Sequence, residues 1–469
     1  MKPLRKQGII IFSILALVLA ACGGDTTEET TVEETTPEVV ETLDSPAVTT
    51  ASGVETGVGV TSDPCPEAIG GIPTGADQSK GCIYLGMLND YTGPYAAAGP
   101  ALETAQRAFW LWANSPEAAG GAGGVGDYSV AIIEGTDTGY NPQKHLEAYN
   151  AQKGDVAALA MSLGTVQTLF ILDEMDKDNM VAAPMSWYSG WSYKSVDKGL
   201  VIEFGSAYCA DGMNAVDWAL ANLPVDIKTI GIMGGAGDYG SDWAAGVKYA
   251  AEKNGLTVAW EYVPPSTEFD VAQAVGLMLT QPVDAYFPAI VPSQMAQVAG
   301  GAAQQGVTPI AMLAAPAFND AFVQEGFALK GLFESGAIYT MAWVAPYEFN
   351  SAAHATMRAT FASMGIDSAS SFLVAGWSSQ YHMKGVLEAA LKGGDLTRAG
   401  IRRAAANVYV ESDGMMLTRE LGQDRADKES FINIPDGSIA SGVKMLASNY
   451  VGPSAESYDF TQGPCYASG

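Results

Sequence analysis

The chain has 469 residues, of which 48% are apolar, enough to bury sizeable cores and to exclude general disorder. Its formal charge of −28 makes a surface that repels nucleic acid and anionic membranes, and no basic patch offsets it. Roles on nucleic acid are set aside on that ground.

The N-terminus reads as an address. Lys2, Arg5 and Lys6 precede Ile9–Leu19, apolar apart from Ser13 and shorter than the roughly 20 residues that span a bilayer. The run ends in Leu19-Ala20-Ala21-Cys22-Gly23, which resembles a bacterial lipobox. The resemblance implies a signal peptide over residues 1–21, cleavage before Cys22 and a lipid on its sulfur. From there to residue 61 the chain carries Asp25, Glu28, Glu29, Glu33, Glu34, Glu38, Glu41, Asp44 and Glu55 with no Lys or Arg. Such a segment cannot bury enough apolar surface to order itself. Residues 22–61 are therefore expected to be a disordered tether, reaching about 35 Å as a flexible coil. Cys65, Cys82, Cys209 and Cys465 remain, an even number in an exported chain, with three possible connectivities. Cys65 and Cys82 would close a short loop before the first strand, which leaves Cys209 for Cys465.

Residues 62–469 are expected to fold. Ile83–Leu88 is a strand run, Asn89–Pro94 a turn, and Ala98, Leu102, Ala105, Phe109 and Trp112 recur at helical spacing behind Pro100. Tyr128–Glu134, Val156–Met161 and Met180–Ala183 read as further strands, with helices at Pro142–Gln152 and Thr165–Met175 between them. An aromatic loop, Met185–Tyr193, is followed by a strand at Leu200–Phe204 and a helix at Cys209–Asn222. The alternation restarts at Lys228–Met233 and continues through Thr257–Val263, Ala285–Ala289 and Pro309–Leu313. Strands separated by helices of this length mean βαβ units and parallel sheets, here too many for one sheet. The expectation is α/β with two doubly wound lobes. Helices at Ser351–Met364 and Ala375–Lys392 come next, and Met415–Arg419 with Ser430–Ile434 reads as a β-ribbon cap.

Several of these segments together carry a family resemblance. They are the opening strand with Gly93-Pro94-Tyr95 and Gly99, then Ser162-Leu-Gly-Thr-Val-Gln167, Gly237-Asp-Tyr-Gly240 to Gly246, Ala289–Gly306 and the helix from Trp377. In this order the chain resembles the type I periplasmic binding proteins, in particular the leucine/isoleucine/valine-binding branch that serves ABC transporters. The resemblance implies two lobes joined by crossover hinges and closing on a small solute, with permease and ATPase subunits as partners. It places lobe one at about 82–204 and 340–405, and lobe two at about 205–339 and 406–469. It implies no cofactor, and contact with the membrane only through the lipid at Cys22, on the outer or periplasmic side.

Residue by residue, the resemblance gives Ser162, Gly164 and Thr165 the role of holding a ligand carboxylate at a helix start; an ordinary N-cap is compatible with it. Ser186 matches a second carboxylate-side position, and Tyr239 a lobe-two tyrosine facing the ligand, or else one packed within its own lobe. Tyr95 is expected to cover the ligand, and Trp187 to face it, while Tyr188, Trp191 and Tyr193 pack their loop down. The branch pairs a ligand ammonium with an acid from lobe two. Here that region reads Ala314-Ala-Pro-Ala-Phe-Asn-Asp320, where Asn319 and Asp320 look like a helix cap. A carboxylate, an amide or a partly apolar solute is therefore as compatible as an α-amino acid.

An enzyme should show a nucleophile, base and orienter, or a metal set. His145, His354 and His382 fall in separate predicted helices, and there is no HExxH, GxSxG, GxxxxGK[ST] or CxxC. A receptor subunit that reports a solute to a sensor would need the same two-lobed clamp as a transport component.

Overall fold

The computed structural model describes residues 48–49, 53–67, 70–235, 237–264, 269–416, 419–420 and 427–467. The signal peptide, Cys22 and most of the tether lie outside them. Among the described residues no helix is long and apolar enough to cross a membrane.

Lobe one is built on parallel strands. Gly81–Asn89 is the central one, flanked by Tyr128–Ile132 and Thr136–Asp137 on one side and by Ala158–Leu163, then Ala182–Met185, on the other. The apolar run is central because both faces of the sheet are covered, so alternation is not required of it. Helix Gly99–Asn114 follows with Pro100 in its first turn and buries Leu102, Ala105 and Phe109. It packs on helix Ser371–Lys392, where Gly376 lets the backbones approach: a Cβ there would stand 2.5 Å from the Leu102 carbonyl.

After Met185 the aromatic loop reaches the C-terminal segment, and the chain comes back to the lobe-one sheet at Val201 before it leaves for lobe two. The expected strand at Leu200–Phe204 is absent; a single bridge, Val201 to Ala182, is all that pairs. Lobe two holds a seven-stranded sheet. Thr257–Tyr262, Thr229–Gly234, Ala285–Ala289, Ile310–Leu313 and Ile338–Ala342 are parallel, and Ser430–Pro435 and Val443–Tyr450 continue antiparallel. Thus Ser430–Pro435 is no ribbon cap but a strand of the main sheet, while Arg419–Glu420 pairs with Tyr409–Val410. The parallel edge at Ile338–Ala342 was open, and a strand arriving from the C-terminal part could satisfy it.

Two lobe boundaries move accordingly. The return to lobe one, expected at 340, comes after Ala342, because Thr340 pairs with Asn433 in the lobe-two sheet. Val410, expected in lobe two, lies in van der Waals reach of a Cβ at Gly385 on the lobe-one helix. The tether also ends earlier than residue 61. Glu55–Thr56 pairs with Asp395–Leu396, and Val60–Thr61 joins Ile83 and Cys82. Val60 finds the sheet edge at Ile83, a gain that composition over a longer window conceals.

Disulfides join Cys65 to Cys82 and Cys209 to Cys465. The second ties the C-terminal segment to the start of helix Tyr208–Asn222. The same segment meets the aromatic loop: Tyr188 donates to the Tyr466 carbonyl at 2.7 Å, and Tyr193 to that of Phe460.

Candidate binding cleft

Between the lobes lies a pocket of about 370 Å3, counting the space open to solvent at its mouth. Lobe one supplies Tyr95, Leu102, Tyr140, Leu163, Met185 and Phe372 to its wall, with Ala375 behind. The segments after Met185 and Ala342 supply Trp187 and Trp343, and the far side carries Tyr208 and Pro316. Among these described lining residues none is charged.

Period-two alternation decides which side of each loop faces the cavity. In strand Ala158–Leu163 it is Leu163 that lines the wall. Ser162 points the other way, its hydroxyl 2.9 Å from His145 Nε2 and 2.7 Å from Thr168 Oγ1. Burial pushes that histidine down to about 3, so it is neutral and serves the interior of the lobe. Ser186 likewise turns inward, accepting the Trp191 indole N–H at 2.8 Å.

Gly164 and Thr165 do reach the cleft region. Gly164 has φ +102°, and a Cβ there would lie 2.7 Å from the Tyr140 ring, so glycine is required on both counts. Helix Thr165–Lys177 begins directly after it with no side-chain cap, which leaves its first backbone N–H groups for another acceptor. Thr165 is buried beside Tyr208, where its hydroxyl opposes the upward push of burial on that phenol.

Four tyrosines converge here. Tyr95 and Tyr140 have ring centroids 5.0 Å apart, and Tyr208 and Tyr239 4.7 Å. Burial holds all four phenols protonated, well above their ordinary range. Tyr239 donates to the Ile290 carbonyl at 3.4 Å and stands behind Tyr208, outside the wall itself. The Tyr95 and Tyr140 phenols make no hydrogen bond to any described residue. Asp90, also buried, is turned away: its carboxylate accepts the backbone N–H groups of Gly93 at 2.5 Å and Tyr95 at 2.8 Å. It shapes the loop that presents Tyr95.

The lobes are closed on one another at the two helix starts. Gly237, with φ +80°, precedes helix Asp238–Lys253, and a Cβ on it would stand 2.4 Å from Val166 Cγ2 across the cleft. Asn319 caps the short turn after it by accepting from Ala321 N–H, as its sequence position suggests.

Sequence reasoning missed Tyr140, Tyr208, Trp343 and Phe372. Tyr140 sits in the Thr138-Gly-Tyr-Asn-Pro142 turn that follows a strand pair, with φ 54° and Asn141 capping the next helix. Turn chemistry at a strand's carboxyl end was the available signal. Trp343 had none, since its neighbours in the cleft are remote in sequence. The other histidines are structural as well: His354 bonds Ser351 Oγ at 2.7 Å and His382 bonds the Glu203 carbonyl at 2.6 Å. Asp242 lies within 4.8 Å of the sulfurs of Cys209 and Cys465, which are already bonded to each other.

Two α/β lobes, crossovers between them and a pocket at their facing helix starts define a two-lobed clamp for a small molecule. The chain belongs to the periplasmic binding protein family, whose model matches residues 82–430. No curated protein sequence matches the chain. Among solved structures it is similar to a fatty acid ABC transporter substrate-binding protein from Thermomonospora curvata, with 24% identity and a TM-score of 0.74 over 87% of this chain and 97% of that one. It is also similar to a solute-binding protein of an ABC transporter from R. palustris in complex with 4-hydroxybenzoate, with 13% identity and a TM-score of 0.65 over 80% and 98%. A branched-chain amino acid ABC transporter protein from Thermus thermophilus with bound valine gives 11% identity and a TM-score of 0.64 over 80% and 98%.

Proposed function

We propose that the protein is the extracytoplasmic solute-binding component of an ABC importer, held at the membrane by a lipid on Cys22, and that its solute is an apolar carboxylic acid. The clamp takes the solute between the lobes and presents it to permease and ATPase subunits without changing it. One observation carries the choice of solute: the cavity wall is aromatic and aliphatic, with the Tyr95 and Tyr140 phenols as hydrogen-bond donors that have no partner among the described residues. An α-amino acid would bring an ammonium group into this wall with no carboxylate to meet it, a costly burial. A carboxylate would instead accept from the phenols and from the uncapped helix start at Thr165. The solved neighbours named for a fatty acid and for 4-hydroxybenzoate agree with this choice; the valine-bound neighbour stands for the other.

Thermal melting against a panel decides it. A true solute at 100 times its Kd stabilises by about 2.7 kcal/mol. Butanoate, octanoate or benzoate should raise the melting temperature while leucine and valine do not. A shift from leucine or valine alone would return the protein to the amino-acid branch. For the anchor, Cys22→Ser should release the protein from the membrane fraction of the expressing cell, whereas retention there would refute lipidation.

A further inference from the structure

The cleft has a second chamber behind it. A pocket of about 510 Å3, counting the space open to solvent at its mouth, is walled by Ala315, Phe318, Met341, Val344, Val374 and Val443. Trp343 and Phe372 border both this space and the cavity that holds the tyrosines. The two chambers also abut through consecutive residues, Ala315 beside Pro316 and Val374 near Ala375. The polar groups of the second chamber are largely occupied. Thr340 donates to the Met341 carbonyl at 3.0 Å, and Ser441 to the Glu348 carboxylate at 2.6 Å. Asn433 Oδ1 and Trp343 Nε1 are its buried polar atoms without a partner among the described residues.

This chamber is larger than the first, and none of its described lining residues is charged. A single-ring acid or a branched-chain amino acid has nothing to put there. Resting on the carboxylic-acid reading above, we infer that the second chamber is a tail site. The solute is an unbranched alkyl carboxylate whose head lies at Tyr95, Tyr140 and the helix start at Thr165, and whose chain passes between Trp343 and Phe372. The aliphatic wall beyond gains from each methylene it removes from water. Trp343 follows the last parallel strand of lobe two and Phe372 opens a lobe-one helix, so the passage is made by both lobes and forms fully only on closure. Chain length is then what the protein selects on.

The test is calorimetric titration of the full-length chain carrying Cys22→Ser with butanoate, octanoate, dodecanoate, benzoate and leucine. Affinity should rise by about fourfold for each methylene added beyond the length of benzoate, equivalent to about 0.8 kcal/mol, until the chamber is full. Ala342 lines the second chamber as Ala315 does, so Ala342→Leu and Ala315→Leu each narrow it from a different element. Either should weaken dodecanoate by about tenfold or more, the burial of two methylenes, while leaving butanoate and benzoate unchanged. Melting curves identify any variant that fails to fold, and the wild-type length series tests the inference without variants. Equal affinity for butanoate, benzoate and dodecanoate would overturn the tail site and leave the carboxylate clamp intact. Failure of every carboxylate to bind would overturn the clamp reading, and the tail site with it.

Discussion

Trp187 and Trp343 lie face to face, ring centroids 3.3 Å apart and planes within 5° of parallel. Trp187 follows the lobe-one strand Ala182–Met185, and Trp343 follows the lobe-two strand Ile338–Ala342. Gly205 fits against the pair, since a Cβ there would stand 2.7 Å from Trp343 Cβ. The stack therefore joins segments that follow strands of different lobes and forms one wall of the cleft at the same time.

Removing a ring from this stack should act on both roles. Trp343→Ala should destabilise the protein by about 3–5 kcal/mol, as for other large buried aromatics, and weaken solute binding as the wall is lost. Trp343→Phe keeps an aromatic face and should recover most of the stability. Urea unfolding measures the first effect and calorimetry the second. Full retention of affinity in a folded Trp343→Ala variant would remove the indole from the binding wall.

The tyrosines make a cleaner separation. Tyr95→Phe and Tyr140→Phe keep the rings and delete only hydroxyls that no described residue satisfies, so melting temperature should hold or rise slightly. Each should cost roughly tenfold to hundredfold in carboxylate affinity, the value of a charge-assisted hydrogen bond of about 1.5–3 kcal/mol. Unchanged affinity in both variants would place the carboxylate elsewhere.

Asp242 should give the protein a readable pH dependence. Its carboxylate accepts Ser189 N–H, Ser189 Oγ–H and Cys209 N–H, yet burial still pushes it up from 3.8 to about 7. Asp211, bonded by Ser206 and Ser430, is likewise raised to about 7 by burial. Between about pH 4 and 7 the folded protein thus keeps protons that the unfolded chain has released, and this contribution to stability falls as pH rises. His145 and His354, held down to about 3 and about 4 by burial, are neutral when folded, and their contribution rises with pH up to the ordinary value of 6.5. The two effects oppose each other, so the useful quantity is the difference between variant and wild type. Asp242→Asn should gain at least about 1 kcal/mol relative to wild type between pH 4.5 and 8, a fraction of what three pKa units allow. A difference that stays constant over that range would show that Asp242 ionises normally.

The alternation of apolar runs and amphipathic helices determined the two α/β lobes from the sequence alone, because each element is specified by contacts within its own ten to twenty residues. Turn chemistry did as much for Pro100 in its first helical turn and for the Asn319 cap. The cysteine order also gave the observed pairing. Family resemblance brought Tyr95 and Trp187 to the cleft, but Ser162 and Ser186 face inward; at Ser162 the reason is that a one-residue step along a strand reverses a side chain's direction. Where Ser430–Pro435 pairs was beyond local reading, since the open edge it fills is made by Ile338–Ala342. The same holds for Trp343 and Phe372. What makes them a passage is their meeting with Trp187 and Tyr95, and only the folded chain brings such distant residues together.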